Sequence, residues 1–421
     1  FSINISISAV IAFNDIDGVV EASIAGSTVD AGGDVTVEAE DRARIFALLL
    51  SVSVSAGGAG GGSVNISVAV TYGENTLGGS VLATIDDSTV NTTGGEVVVD
   101  AYASNLVQAI GIAVGVSGGG AGGFSLNVAL AGVGANNVTT NSVAASIAGS
   151  TVGNVDEPTA VTVRAQDLSD IFAVLVSAAV AAGGAGGFSL NVAGAGIFAS
   201  NRIGGSLLAS IDDSTVHSSG AVSVLASNYE DGGPDSMSIT AIGVAVSVAA
   251  GGAGAVSVNI AIAGVVAFNT ITNSIEASIV DSPATVTAAG DVLVAAEDRA
   301  NIFATLISIS IAAGGSGALS VNVAVAASYA ENTIGGSLLA TIDNSRVEST
   351  GGSVTVDAYA KSSILAIGVG VGVAAGGAGG ASINVALSVV AATNITGNTN
   401  EASIKGGSDV DANDASSGAV T

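Results

Sequence analysis

The sequence predicts an all-β, repetitive parallel β-solenoid: seven units of about 62 residues in alternating pairs, one continuous array over residues 1–421. Three observations carry that expectation. A Ser-x-Asn motif returns at near-fixed spacing. Alternation of period two runs between glycine clusters. Val, Ile and Gly are abundant while Pro is almost absent. The motif asparagines are Asn4, Asn65, Asn127, Asn191, Asn259, Asn322 and Asn384, with gaps of 61, 62, 64, 68, 63 and 62 residues. A fixed period of this size marks a fold that grows in one dimension. The two longest gaps coincide with insertions at 154–159 (NVDEPT) and 228–235 (NYEDGGPD), expected to be loops at the rim.

Units come in two alternating flavours. One carries EDRARIF (40–46), QDLSDIF (166–172) and EDRANIF (297–303). The other carries GGSVLATIDDSTV (78–90), GGSLLASIDDSTV (204–216) and GGSLLATIDNSRV (335–347). Within a unit, GG-x-V recurs at Gly33, Gly62, Gly79 and Gly95, which predicts about three corner-then-strand starts per unit.

Two kinds of strand are expected between the corners. In SVTVDA (353–358), Val354, Val356 and Ala358 alternate with Thr355 and Asp357, a half-buried strand with a wet outer face. In ILAIGVGVGVAA (364–375), Leu365, Ile367, Val369, Val371 and Val373 share one face, and Ala366, Gly368, Gly370 and Gly372 the other. After GGAGG, Ile383, Val385, Leu387 and Val389 oppose Ser382, Asn384, Ala386 and Ser388. Gly weakens a strand interior, so Gly111, Gly115, Gly368, Gly370 and Gly372 are expected to pack against a second, closely approaching sheet. Helix is disfavoured by the Val, Ile, Thr, Ser and Gly content. An antiparallel array, with each GGAGG turning a hairpin, stays open as the alternative. So does the choice between a coil of about 20 residues and a coil of one whole unit.

The net charge of −27, with 8 Lys+Arg against 35 Asp+Glu, speaks against nucleic acid or an anionic membrane surface as partner. Cys is absent, so there is no disulfide framework and no thiolate metal site. Residues 101–155 and 362–400 hold no charge, which raises the question of membrane spans. The period of two and the central glycines argue against helices. A transmembrane barrel would want aromatic girdles, for which five Tyr, nine Phe and no Trp are a poor supply. No membrane span is expected. The chain opens at FSINISIS, inside a repeat and without Met, and is read as a segment of a longer or trimmed polypeptide.

The run STVDAGGDVTVEAEDRA (27–43), followed by glycines and SVNISVAV (63–70), resembles the repeats of giant bacterial filamentous-haemagglutinin-like and leukotoxin-like filamentous adhesins. The resemblance runs through all seven passes. It implies a right-handed parallel β-helix, a bacterial cell-surface or extracellular location, and a place in a fibre or adhesin. The long GG-x-GG clusters and small-faced strands depart from the haemagglutinin type.

No residue set reads as catalytic. His217, the one His, is read as a solvent-facing turn residue. The acids Asp86-Asp87, Asp212-Asp213 and Asp343 recur once per pair of units, as a surface row rather than one constellation. GGAGGFSLN lacks the Asp of a calcium nonapeptide, although stacked Asp rows offer oxygen ligands that suit Ca2+. No Lys follows GG-x-GG, which excludes a phosphate loop. No cofactor is expected. The seven motif asparagines are the best single-residue expectation, as a ladder of amides bonded along the solenoid; the plain alternative is Asn tolerated at a turn. The expected function is structural: a non-enzymatic fibre or adhesin stalk whose partner is itself, head to tail and laterally. The alternative is an adhesin module that binds glycan or receptor through its rim loops.

Overall fold

The computed structural model describes residues 1–153, 158–230, 236–282, 285–412 and 419–421. Every regular element among them is a β-strand. One coil is one whole unit. A long strand, Gly62–Asp86, leads to a short strand, Thr89–Thr92, then a seven-residue strand, Val97–Ala103, then a sixteen-residue strand, Leu106–Ala121. The next long strand, Phe124–Ala148, then lies in register on Gly62–Asp86, with Asn65 beside Asn127. Four parallel sheets result, of seven, seven, six and six strands. The protein is a parallel β-solenoid with a coil of about 62 residues, and the hairpin alternative is excluded because paired strands run the same way.

The count of corners differs from the sequence expectation. Each coil has four strands, and only two of its GG-x-V sites start one. Gly78-Gly79 lies inside the long strand, which runs through it without losing its alternation. The short strand is instead entered through a left-handed turn residue. That position is held by Gly26, Asp87, Gly149, Asp213, Asp281, Asn344 and Gly406, at φ between 42° and 66°. Asp and Asn tolerate this region better than other side-chain residues, which accounts for the DDST and DNSR sequences.

Each coil has two compartments. The distal half of the long strand closes with the short and seven-residue strands into a prism, here called the base. Its core is large and aliphatic: Ile85, Val90, Val99, Ile147, Ile211 and their column neighbours are all but inaccessible. The proximal half of the long strand faces only the sixteen-residue strand, and together they form a two-layer blade. The blade interior is built mainly from Ala, Ser, Gly and Asn, with Leu49, Val133, Leu175, Ile197, Val265 and Leu306 as its larger members. Leu77, Val107, Ile171, Ile203, Met237 and Ile271 pack where the two compartments meet, at the waist.

The blade is packed inside out. Leu48, Leu50, Val52 and Val54 point outward, while Ser51, Ser53 and Ser55 point in. The glycine prediction has a direct structural counterpart. A Cβ on Gly111 would lie 2.6 Å from Val133 Cγ1, and one on Gly115 would lie 2.6 Å from the Leu130 carbonyl oxygen. In the last coils Gly368 faces Val390, Gly370 faces Ser388, and Gly372 faces the Leu387 backbone. Serine hydroxyls cross the gap: Ser117 Oγ donates to Asn65 O at 2.7 Å and Ser247 Oγ to Ala193 O at 2.8 Å. A single serine side chain thus bridges the two sheets, which sets them closer than the ~10 Å of ordinary stacked sheets.

The alternating pairs have a packing cause. One inner column of the sixteen-residue sheet reads Leu49, Gly111, Leu175, Gly243, Leu306, Gly368. Each Leu needs the room that the neighbouring Gly leaves.

Candidate functional site

The seven motif asparagines lie on the long strands and form a continuous amide ladder. Asn4, Asn65, Asn127, Asn191, Asn259 and Asn322 each donate from Nδ2 to Oδ1 of the next, ending on Asn384, at 2.8–2.9 Å. The five inner members are fully buried. The turn alternative fails, because every one sits within a strand. The same amide closes the turn before it. Asn65 Nδ2 reaches Gly57 O at 3.1 Å and Ser63 Oγ at 2.9 Å, while Ser63 Oγ donates to Gly57 O. That is the reason for the spacing between the glycine cluster and Ser-x-Asn. Gly119, Gly183, Gly251 and Gly314 take the place of Gly57 in later coils, and a Cβ there would run into the glycine carbonyl one coil back and an asparagine amide.

A second ladder escaped the sequence reading. Asn14, Asn75, Asn137, Asn201, Asn269, Asn332 and Asn394 are linked in the same sense at 2.7–2.9 Å. Each lies ten residues after a motif Asn. The signal was present as an Asn recurring at the same period without a Ser two residues before it.

The waist carries a third polar column, and it follows the pair period. Asn105 donates to Asp41 Oδ2 and to Asn141 Oδ1, and Asn141 donates to Asp167 Oδ2 at 3.1 Å and to Ser169 Oγ at 2.9 Å. Asp167 also accepts from the Ser169 amide and hydroxyl. It is buried, and desolvation raises its pKa above the ordinary carboxyl value against those hydrogen bonds. Two coils on, Asp298 takes the same place and accepts from Asn398 Nδ2 at 2.7 Å.

The main concavity lies on the outer face of the seven-residue strands, a groove of about 660 Å³ across the coils. Glu38, Asp100, Asp357 and Glu297 line it, with Tyr102 and Tyr229. Arg164 forks onto both Asp100 oxygens, which raises the Arg164 pKa through that hydrogen bond despite partial burial. Arg299 lies 3.6 Å from the Tyr229 ring centre, and Arg42 pairs with Glu40 over Tyr102. The acid-rich, tyrosine-bearing wall suits a polyhydroxyl or cationic ligand. The rim loop at 228–235 contributes Tyr229 and Glu230; its residues 231–235, like 154–157 of the other insertion, lie outside the described residues.

His217 is placed differently from the expectation. It lies on the strand Thr215–Ser218, half-buried between coils, rather than in a turn. Of the recurrent acids, Asp87 and Asp213 are the turn residues described above. Among the described residues no three acidic or histidine side chains converge as metal ligands. No family model, curated protein or solved structure matches this chain.

Proposed function

We propose that the chain is a non-enzymatic structural segment of an extracellular bacterial fibre or adhesin, of the filamentous-haemagglutinin-like kind, extended by coil upon coil. The observation that carries this reading is the in-register parallel ladder, in which every column continues from coil to coil. Ser2–Ala25 and Ala381–Lys405 are the outer strands of the longest sheet, each with one hydrogen-bonding edge unpaired. Their columns match, Asn4 with Asn384 and Asn14 with Asn394, so a further coil would continue both ladders. Heterologous stacking of this kind gives an open filament. Two of the four sheets hold one strand fewer; residues 419–421 begin to fill that place on Val354–Val356, and a copy joined directly would leave the other sheet one strand short. Negative-stain microscopy and fibre diffraction of concentrated protein test the idea: fibres with a meridional reflection at ~4.8 Å are expected. A monodisperse monomer at high concentration would overturn it.

A second reading rests on the acidic groove: an adhesin module that holds a glycan or receptor. Tyr102→Ala with Tyr229→Ala should then abolish capture on a glycan array without changing the fold. Equal capture by that variant removes the groove as the binding site.

A further inference from the structure

The blade presents an apolar exterior on two opposite faces and at its tip. On the long sheet one outer column reads Ile7, Val68, Leu130, Gly194, Ile262, Val325, Leu387. On the opposite face one reads Leu50, Ile112, Val176, Val244, Ile307, Val369. Exposure is not confined to the end coils, since Leu130 is 41% and Ile262 49% accessible in the middle of the stack. Contiguous apolar patches of this extent mark an interaction surface.

Charge is partitioned along the strands. The stretches 1–14, 45–73, 106–155, 171–201, 236–275, 302–330 and 362–400 contain no Asp, Glu, Lys or Arg. In every coil they cover most of the blade, and the acids and bases of the chain lie at the waist and in the base.

The aromatic residues are placed just as selectively. Phe13 and Phe268 share one outer column of the long sheet with Glu74 and Glu331, and Tyr72, Phe198 and Tyr329 lie in the adjacent outer column on the charge-free side. Phe46, Phe172 and Phe303 share the matching column on the other face. Phe1, Phe124 and Phe188 lie at the tip. The supply is small, as the composition indicated, but it is gathered into a band where the apolar blade meets the acidic base.

We infer that the blade is immersed in the hydrocarbon of a lipid bilayer, strands along the membrane normal, with the acidic base outside. This departs from the sequence expectation of no membrane span. A second copy seated on one face would leave the other face and the tip bare, whereas a continuous apolar medium covers all three. From Ile3 to Ile11, whose column carries no charge in any coil, the outward run covers about 26 Å at ~3.3 Å per residue, and Phe1 at the tip extends it to about 33 Å, close to the ~30 Å of a hydrocarbon core. Aromatic side chains favour the interface at such a boundary.

Backbone groups inside a bilayer must be paired within the protein, and here even the tip meets that demand. Gly57 N, Ala59 N, Gly122 N and Phe124 N donate to carbonyls of adjacent coils at 3.1–3.3 Å. Most polar side chains of the blade point inward, to the amide ladders or to carbonyls of the opposite sheet, while Gln108, Thr240 and Thr305 face out. The outer edges of the end coils need a further coil on each, so the inference rests on the coil-on-coil reading above.

The test uses the whole chain and vesicles of phosphatidylcholine. Cys is absent, so a single Cys at Val176 or at Thr162 on the base wall carries one environment-sensitive fluorophore. Co-flotation with vesicles is expected, with a blue shift and quenching by acyl-chain nitroxides at 176 and neither at 162. Binding should survive high salt, because no charge pairing drives it. Val176→Asp with Val244→Asp should weaken flotation by about tenfold or more, and Val176→Ser with Val244→Ser controls for folding by retaining the strand signal in circular dichroism. Several results would overturn the inference: no flotation, flotation only on anionic vesicles, or a blue shift at 176 that tracks protein concentration without vesicles. The last names a second copy as the occupant. Fibres that form yet ignore vesicles would sink this inference and leave the structural reading standing; a chain that neither stacks nor floats removes both.

Discussion

Base and blade share one backbone ladder, yet they are packed by opposite rules. In the base, Ile, Val and Leu face in and the acids face out, so burial of large apolar groups supplies the stability. In the blade most large residues face out, and those that face in, such as Leu175 and Leu306, sit beside glycines. What remains inside is hydrogen bonding, small-residue contact and the cooperativity of stacked amides. A strand of 25 residues crosses from one regime to the other with no break in pairing. Inter-strand bonding therefore does not dictate which face is the core. The composition of each face does, together with what lies opposite.

The contrast can be broken at matched aliphatic sites. Ile211→Ala in the base should cost about 2–5 kcal/mol, as expected for a fully buried core truncation. Val176→Ala on the outer blade should stay within about 0.5 kcal/mol in aqueous buffer. Comparable losses in chemical denaturation would mean that the blade's outer face is buried in solution.

Gly243→Leu sharpens the same contrast from inside the blade. The new side chain would sit between Leu175 and Leu306 in one column and against Val265. A cost of about 1–3 kcal/mol from overpacking is expected, read as a lower midpoint in urea. An unchanged midpoint would show that the two blade sheets can part.

Asn191→Ala removes one rung of the first ladder and leaves the Asn127 donor and the Asn259 acceptor without their partner. The cost expected for buried polar groups left unpaired is about 1–3 kcal/mol. Asn201→Ala in the second ladder should behave alike. A much smaller loss at both would demote the ladders to passive filling.

The smallest effect is expected at the waist. The carboxyl of Asp167 is pushed up by burial, so the native state binds its proton more tightly than the unfolded chain does. Its ionisation therefore lowers stability as pH rises from the ordinary carboxyl range through the raised value. Asp167→Asn should be the more stable protein at pH above that window, and the advantage should vanish in acid. Thermal midpoints of the two proteins across pH check the sign; a gap that widens in acid would contradict it.

Much of this was legible in the sequence. The Ser-x-Asn period sets the coil, and period-two alternation sets the strands. What alternation cannot give is the identity of the inner face. Leu365 and Ala366 alternate in the way a core strand would, and the usual rule puts Leu inside. The glycines at 368, 370 and 372 held the contrary clue, because a glycine face lets a second backbone come close. The coil length stayed open because Gly78-Gly79 looks like a corner in one dimension. The second ladder was missed because its asparagines lack the serine that drew attention to the first. The groove combines residues from six coils that lie some 60 residues apart in sequence, beyond the reach of local pattern.

The length of the coil has a mechanical consequence. Each coil advances the solenoid by one inter-strand spacing, about 4.8 Å, and consumes about 62 residues to do so. A solenoid with coils of about 20 residues would travel some three times as far on the same chain. This architecture is therefore a poor way to gain reach and an effective way to gain breadth, a ribbon whose width far exceeds its rise per unit. Pulled from one end, a single coil that peels away would release roughly 200 Å of slack at ~3.3 Å per residue. The array would yield in large, discrete steps, absorbing load one coil at a time.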